Sequence, residues 1–283
     1  MKFSNILEEI EKVDGNIYER LSPRRKAMKD FFNMGSKVAA AAMPFAIGSM
    51  FNKAYGQAPP AGVIAVLQYA LTLEHFEYNF YKSGLNAMSL TIPAGAEKTA
   101  LEMIRDSELK HVNFLKTVIT AAGATPVAEK TAYDFTAQGT FPTVFTSYAT
   151  FLAVAQVLED TGVRAYKGRA GELLGQKVFL TAALGIHAVE ARHAAKIRFM
   201  RRMNMQAPNI KPWITGGNDT GIAAVNNNYG GAMPESLTTQ AGVNITGLAG
   251  VGGNISTTAA SEAFDEPLTA AEVLALVAPF GVS

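Results

Sequence analysis

The chain contains no cysteine, which removes disulfides, thiolate nucleophiles, cysteine-ligated zinc and cysteine-held iron–sulfur clusters. Any metal site must draw on Asp, Glu and the four His. An excess of charge of either sign is also missing: 25 Lys and Arg stand against 24 Asp and Glu. That balance leaves no electrostatic footprint for wrapping nucleic acid or coating an anionic membrane, so no nucleic-acid partner is expected. Long apolar runs are lacking as well. The most apolar stretch near the start, residues 36–51, is interrupted by Lys37 and Pro44 and falls short of the ~18 uninterrupted residues of a spanning helix. Stable membrane insertion is not expected. What is abundant is core material: 48% of 283 residues are hydrophobic and only 17% charged, which excludes a largely disordered chain.

Charge and glycine are unevenly distributed. Residues 1–60 carry nine Lys or Arg against six acids, whereas residues 205–283 carry one Lys, six acids and eleven of the 25 Gly. The chain therefore divides into a basic leader (1–58), a central block (59–205) and an acidic, Gly/Asn-rich C-terminal extension (206–283). In the leader, Phe3, Ile6, Leu7, Ile10, Val13, Ile17 and Leu21 recur at helical spacing and predict a short amphipathic helix. The pair Arg24–Arg25, the weakly apolar stretch and the small residues of Ala54-Tyr55-Gly56 resemble a twin-arginine export signal, with Ala27 where Phe usually follows the pair. This implies an exported, periplasmic protein; the alternative is a surface helix and arm on a cytoplasmic one.

The central block predicts four helices, over Pro60 to about Asn86, 94–122, 143–168 and 172–204. Gly123 is a natural C-terminal cap of the second, and Gly168 and Gly171 mark the break between the third and fourth. Four helices of this length with short connections predict an all-α four-helix bundle.

The acids fall in a pattern within it. A carboxylate inside an apolar helical stripe is buried and needs a partner, and each helix has one. The second and fourth carry E-x-x-H, as Glu108/His111 and Glu190/His193; the first and third carry L-E-x6-Y-K, as Glu74/Tyr81/Lys82 and Glu159/Tyr166/Lys167. The repeat describes a duplicated helical hairpin. Chance would supply about 0.2 E-x-x-H pairs in a chain of this composition, and there are two. On a helix, residues three apart leave one face about 4.5 Å apart along the axis, so the His can end on one metal while its Glu bridges toward a second. Four carboxylates nearly balance two divalent cations, and hard oxygen donors with two imidazoles suit iron or manganese.

The segments LEHFEYNFY, ELKHVNFL, LEDTGVRAYKG, AVEARHAAKIR and AFDEPLTAAEVLALVAPF resemble the ferritin-like superfamily, and within it the exported ferritin-like domain proteins often labelled desiccation-related. The resemblance implies a ferritin-like bundle holding two Fe or Mn ions. Glu74 and Glu159 would be terminal ligands, Glu108 and Glu190 bridging ligands, His111 and His193 nitrogen ligands, and Tyr81 and Tyr166 phenols that hydrogen-bond ligand carboxylates or donate electrons. It implies reaction with O2 or H2O2 in oxidative or desiccation stress, with a homo-oligomer as one further expectation. The alternative is a non-catalytic metal-binding or structural stress protein on the same scaffold.

Other residues have plainer readings. Glu77, three residues past Glu74, is its rival as a ligand; the duplicated frame favours Glu74, because Gly162 stands where a counterpart of Glu77 would be. His75 and His187 lack duplicated counterparts and read as packed or surface imidazoles. Lys82 and Lys167 read as solvated helix-end charges, and Met200, Met203 and Met205 as gap-fillers. Trp213 is expected to pack the extension onto the bundle, and Leu268–Val277 to form a short helix starting near Thr269.

Overall fold

The computed structural model describes residues 59–282. The leader helix, the arginine pair and the cleavage-type residues lie outside the described residues. Four long helices follow in order: α1 (Ala61–Asn86), α2 (Ala96–Ala121), α3 (Tyr148–Ala170) and α4 (Lys177–Met203). The extension adds α5 (Asn226–Tyr229), α6 (Thr257–Ser261) and α7 (Ala270–Val277). It also holds two-residue antiparallel ribbons, β1 (Thr239–Gln240) with β2 (Val243–Asn244) and β3 (Ala249–Gly250) with β4 (Gly253–Asn254). Among the described residues no helix is long and apolar enough to cross a membrane.

Helix ends follow local chemistry. Pro60, with its extended backbone, precedes α1. Gly123 ends α2 in the left-handed region, φ 82°, with Ala124 N–H donating back to Ile119 O, as a glycine-terminated helix should. α7 starts at Thr269, whose side chain and that of Glu272 form a reciprocal capping box. α3 begins five residues later than its periodicity predicts, because residues 143–146 form a turn and Ser147 caps the helix at Thr150 N–H.

Gly168 departs from its expected role. The helix runs through it to Ala170, and the break is the 3-10 turn Gly171–Leu173. Gly168 is instead a contact point: a Cβ there would lie 1.8 Å from the backbone O of Leu268. A backbone carbonyl cannot step aside as a flexible side chain can, so Gly168→Ala is expected to cost about 1–3 kcal/mol and to loosen the extension. Chemical denaturation, with proteolysis mapped to residues 205–283, checks both effects.

α1 pairs with α2 and α3 with α4, giving two hairpins joined by the crossover 122–147. The apolar core lies in two blocks. One is built on Phe76, Phe80, Leu101, Phe151, Leu158, Ile197 and Met200, and α7 adds Val273 and Val277 to it. The other uses Val66, Leu67, Leu115, Ile119, Phe179 and Ile186. Between these blocks the helices carry their acids and imidazoles, so the polar layer has apolar walls at both ends.

α3 is buried at every position from Phe151 to Tyr166, although one face of it carries Gln156, Asp160 and Arg164 at four-residue spacing. The extension covers that face. Arg164, fully buried, pairs with Glu235 at 2.8 Å and donates to the carbonyls of Glu266, Asn228, Gly230 and Met233. Arg198 of α4 forks onto Asp160 at 2.6 Å and Asp219 at 2.8 Å and reaches Trp213 O, while Tyr229 O–H donates to Asp160 at 2.6 Å.

Several sequence readings are corrected here. Trp213 does not pack the extension down: the residue is 49% exposed, and it is its carbonyl that meets Arg198 of α4. Lys167 is not simply solvated, because its ammonium donates to Asp265 O, whereas Lys82 is exposed and lies over the Tyr78 ring. Of the three methionines, Met200 fills the core while Met203 and Met205 are exposed.

Candidate metal centre

Each long helix delivers its carboxylate to the same layer, and Glu74, Glu108, Glu159 and Glu190 are all fully buried. His111 and His193 join them with only a small exposed edge. Nδ1 of His111 has three carboxylate oxygens around it: Glu108 Oε2 at 3.0 Å, Glu74 Oε2 at 3.1 Å and Glu190 Oε1 at 3.2 Å. Nδ1 of His193 faces Glu108 Oε1 at 2.6 Å, Glu159 Oε2 at 3.5 Å and Glu190 Oε2 at 3.9 Å. Glu108 and Glu190 thus present one oxygen to each imidazole, and Glu74 and Glu159 belong to one set each. Two donor groups result, Glu74/Glu108/His111/Glu190 and Glu108/Glu159/Glu190/His193, with ligand atoms in each within 4.8 Å of one another.

The tyrosines cross over between the halves. Tyr81 of α1 donates to Glu159 Oε1 of α3 at 2.5 Å, and Tyr166 of α3 donates to Glu74 Oε1 of α1. Each phenol fixes the outer oxygen of one carboxylate and leaves the other oxygen facing its histidine. The L-E-x6-Y spacing does not say which glutamate a tyrosine meets; in each case it is the one on the other hairpin. His75 is buried but belongs to neither group. His187 is half-buried, with Nδ1 against Val163 O at 3.1 Å.

Electrostatics give the layer its character. Burial pushes the Glu74 carboxyl up to about 7 against the pull of His111. Burial and then the neighbouring carboxylates of Glu108 and Glu74 push Glu190 well up. Glu159 is also raised, mainly by burial. Glu108 is the exception: burial opposes its ionisation, but contacts with both imidazoles outweigh it and hold it near about 2. Burial disfavours the charged His193, yet Glu159 and Glu108 raise it to about 11, and His111 is raised in the same way, chiefly by Glu74.

The donor set fits a metal. Glu108 Oε1, Glu159 Oε2, both oxygens of Glu190 and Nδ1 of His193 are buried without a hydrogen-bond partner of acceptable geometry. Uncompensated buried acceptors are costly, and one imidazole N–H cannot satisfy three oxygens at once. A cation among them can.

Metal binding should therefore expel protons. Glu74, with its carboxyl at about 7, and His193, raised to about 11, hold protons near neutral pH in the metal-free protein, and Mn2+ binding is expected to release them and to tighten as pH rises. Calorimetry in two buffers of different ionisation enthalpy checks this; identical heats would contradict it. The linkage to folding has the same direction. Glu74, raised from 4.5 to about 7, takes stability away as pH climbs through that window, and His193 takes more between 6.5 and about 11. Glu108, depressed, costs stability only in acid, as pH falls through about 2. Between about 4.5 and about 11 the metal-free protein should melt at progressively lower temperature as pH rises.

Fold and site together define a class: a four-helix bundle whose centre holds a buried carboxylate–histidine cluster able to take metal. Residues 62–202 match the family model of the Ferritin-like domain, and the chain belongs to the ferritin-like superfamily. Neither the curated proteins nor the solved structures gave a match.

Proposed function

We propose that this chain is a dinuclear iron or manganese protein that reacts with O2 or H2O2, in protection against oxidative or desiccation stress. The observation that carries the reading is the sharing of Glu108 and Glu190 between two histidine-containing donor groups, one oxygen to each. Glu74 and Glu159 would close the two coordination sets, each steered by a tyrosine from the opposite hairpin. Two such ions would supply the electrons and open positions that a small oxidant needs. The chain's own residues hold the donors rigid between two apolar blocks, keep bulk water from the layer and place phenol hydrogens on Glu74 and Glu159.

The cavity beside the site suits a small oxidant. It measures about 30 Å³ and is lined by apolar side chains, among them Leu73, Leu115, Ala165 and Ile186, with Tyr166 in its wall. A diatomic molecule fits such a space. Export belongs to the same proposal: Arg24–Arg25 would direct the chain through a route for folded proteins, compatible with metal loaded before transport.

Elemental analysis of protein from its native host, with optical spectra before and after H2O2, tests the reading. About two Fe or Mn per chain and a spectrum that changes with oxidant would support it. Two ions with an inert spectrum would favour a structural metal site on the same scaffold. Absence of metal that reconstitution does not restore would refute a metal centre altogether.

A further inference from the structure

The two halves of the bundle are not equivalent, and the difference lies at Glu77. In the duplicated frame Glu74 corresponds to Glu159, so Glu77 corresponds to Gly162. Glu77 is only 4% exposed, a degree of burial that an unpartnered carboxylate does not reach without reason. Its side chain crosses toward the other half. A Cβ built on Gly162 would lie 3.0 Å from Glu77 Oε1 and 3.6 Å from Glu190 Oε2.

Gly162 therefore leaves a gap bounded by those two oxygens. The same region borders a cleft of about 10 Å³, lined by Glu77, Gly162, Thr161, Asn228, Val277 and Phe280, room for about one water. Both oxygens of Glu190 are buried without a hydrogen-bond partner, so the gap is not closed by a protein donor. Of the two Glu190 oxygens Oε2 is the one that faces His193, at 3.9 Å, whereas Oε1 faces His111, and Glu159, which belongs to the His193 group alone, acts more strongly on Glu77 than Glu74 does.

We propose that Glu77 is a seventh protein ligand that serves the ion of the Glu108/Glu159/Glu190/His193 group, through the space Gly162 leaves open. It sits one helical turn from Glu74 yet serves the other ion. The two ions then differ in their protein donors: the His193-side ion gains a carboxylate, and the His111-side ion does not. The proposal rests on the dinuclear reading above.

The test is Mn2+ titration of the metal-free full chain, with anomalous-scattering crystallography of the loaded protein. Wild type should bind two ions with separable affinities. Glu77→Gln, which keeps shape and loses the charge, should weaken one of them by about 10–100-fold, with anomalous density lost from the His193 side. Glu74→Gln should instead weaken the His111-side ion. Gly162→Ala gives a second route, because its methyl intrudes on Glu77 Oε1 and should weaken the same ion as Glu77→Gln. Both ions within about twofold of wild type in Glu77→Gln, or loss on the His111 side, would overturn the assignment. If the glutamine variant does not fold, wild-type anomalous density decides, since an ion out of reach of Glu77 rejects the proposal. Wild type that binds no Mn2+ would instead refute the dinuclear reading itself.

Discussion

Replacing Glu108 with Gln is expected to weaken binding of both ions by at least about 100-fold, whereas Glu159→Gln should weaken one ion and spare the other. The asymmetry follows from position. Glu108 Oε2 lies 3.0 Å from the His111 nitrogen and Oε1 lies 2.6 Å from that of His193, so its loss removes an oxygen from each donor group. It is also the carboxylate that both imidazoles hold ionised near about 2. A neutral amide offers one oxygen and a competing NH2, and cannot bridge two cations with the same charge compensation. Metal-to-chain stoichiometry after dialysis against a weak chelator reads the effect directly. Retention of two ions by Glu108→Gln would show that the shared geometry does not reflect shared ligation.

Arg198→Ala is expected to destabilise the protein by about 3–5 kcal/mol, the cost of leaving a buried ion pair with one partner. Arg198 is fully buried and binds Asp160 and Asp219 through both faces of its fork, with Trp213 O as a further acceptor. Its removal strands Asp160, which Tyr229 also contacts, and detaches residues 213–219 from α4. Arg198→Lys should recover little, because one ammonium cannot reproduce two bidentate contacts. Denaturant unfolding gives the energy, and proteolysis should show residues 205–283 cut first. An intact extension in Arg198→Ala would mean that the remaining contacts, among them Arg164 with Glu235 and Lys167 with Asp265 O, suffice to hold it.

The candidate centre was legible in sequence because its pattern is local. An i, i+3 pair on a helix fixes Glu108 with His111 and Glu190 with His193 on common faces, whatever the rest of the chain does. The duplicated frame adds Glu74 and Glu159, and their burial follows from the apolar stripes around them. The reading of Glu77 shows where this stops. Its spacing marked it as a rival to Glu74, but periodicity gives a face and not a reach. Only the packing of α1 against α2 and α3 shows that Glu74 meets His111 while Glu77 leans toward Gly162.

The extension was the least legible part. Its Gly- and Asn-rich composition predicts turns, and turns carry no periodicity to say where they dock. The signal that existed was on α3, where Gln156, Asp160 and Arg164 put polar groups at four-residue spacing on a helix otherwise rich in apolar residues. That stripe is the docking face for the extension.

The sequence by itself determined the four helices, their apolar faces and the six candidate ligands, because helical propensity and side-chain direction act over a few residues. Only the tertiary structure decided which tyrosine serves which glutamate, where the extension lies and which side of the centre Glu77 faces. Those depend on distances between segments 30 to 100 residues apart, and such distances are set by how the helices pack against one another.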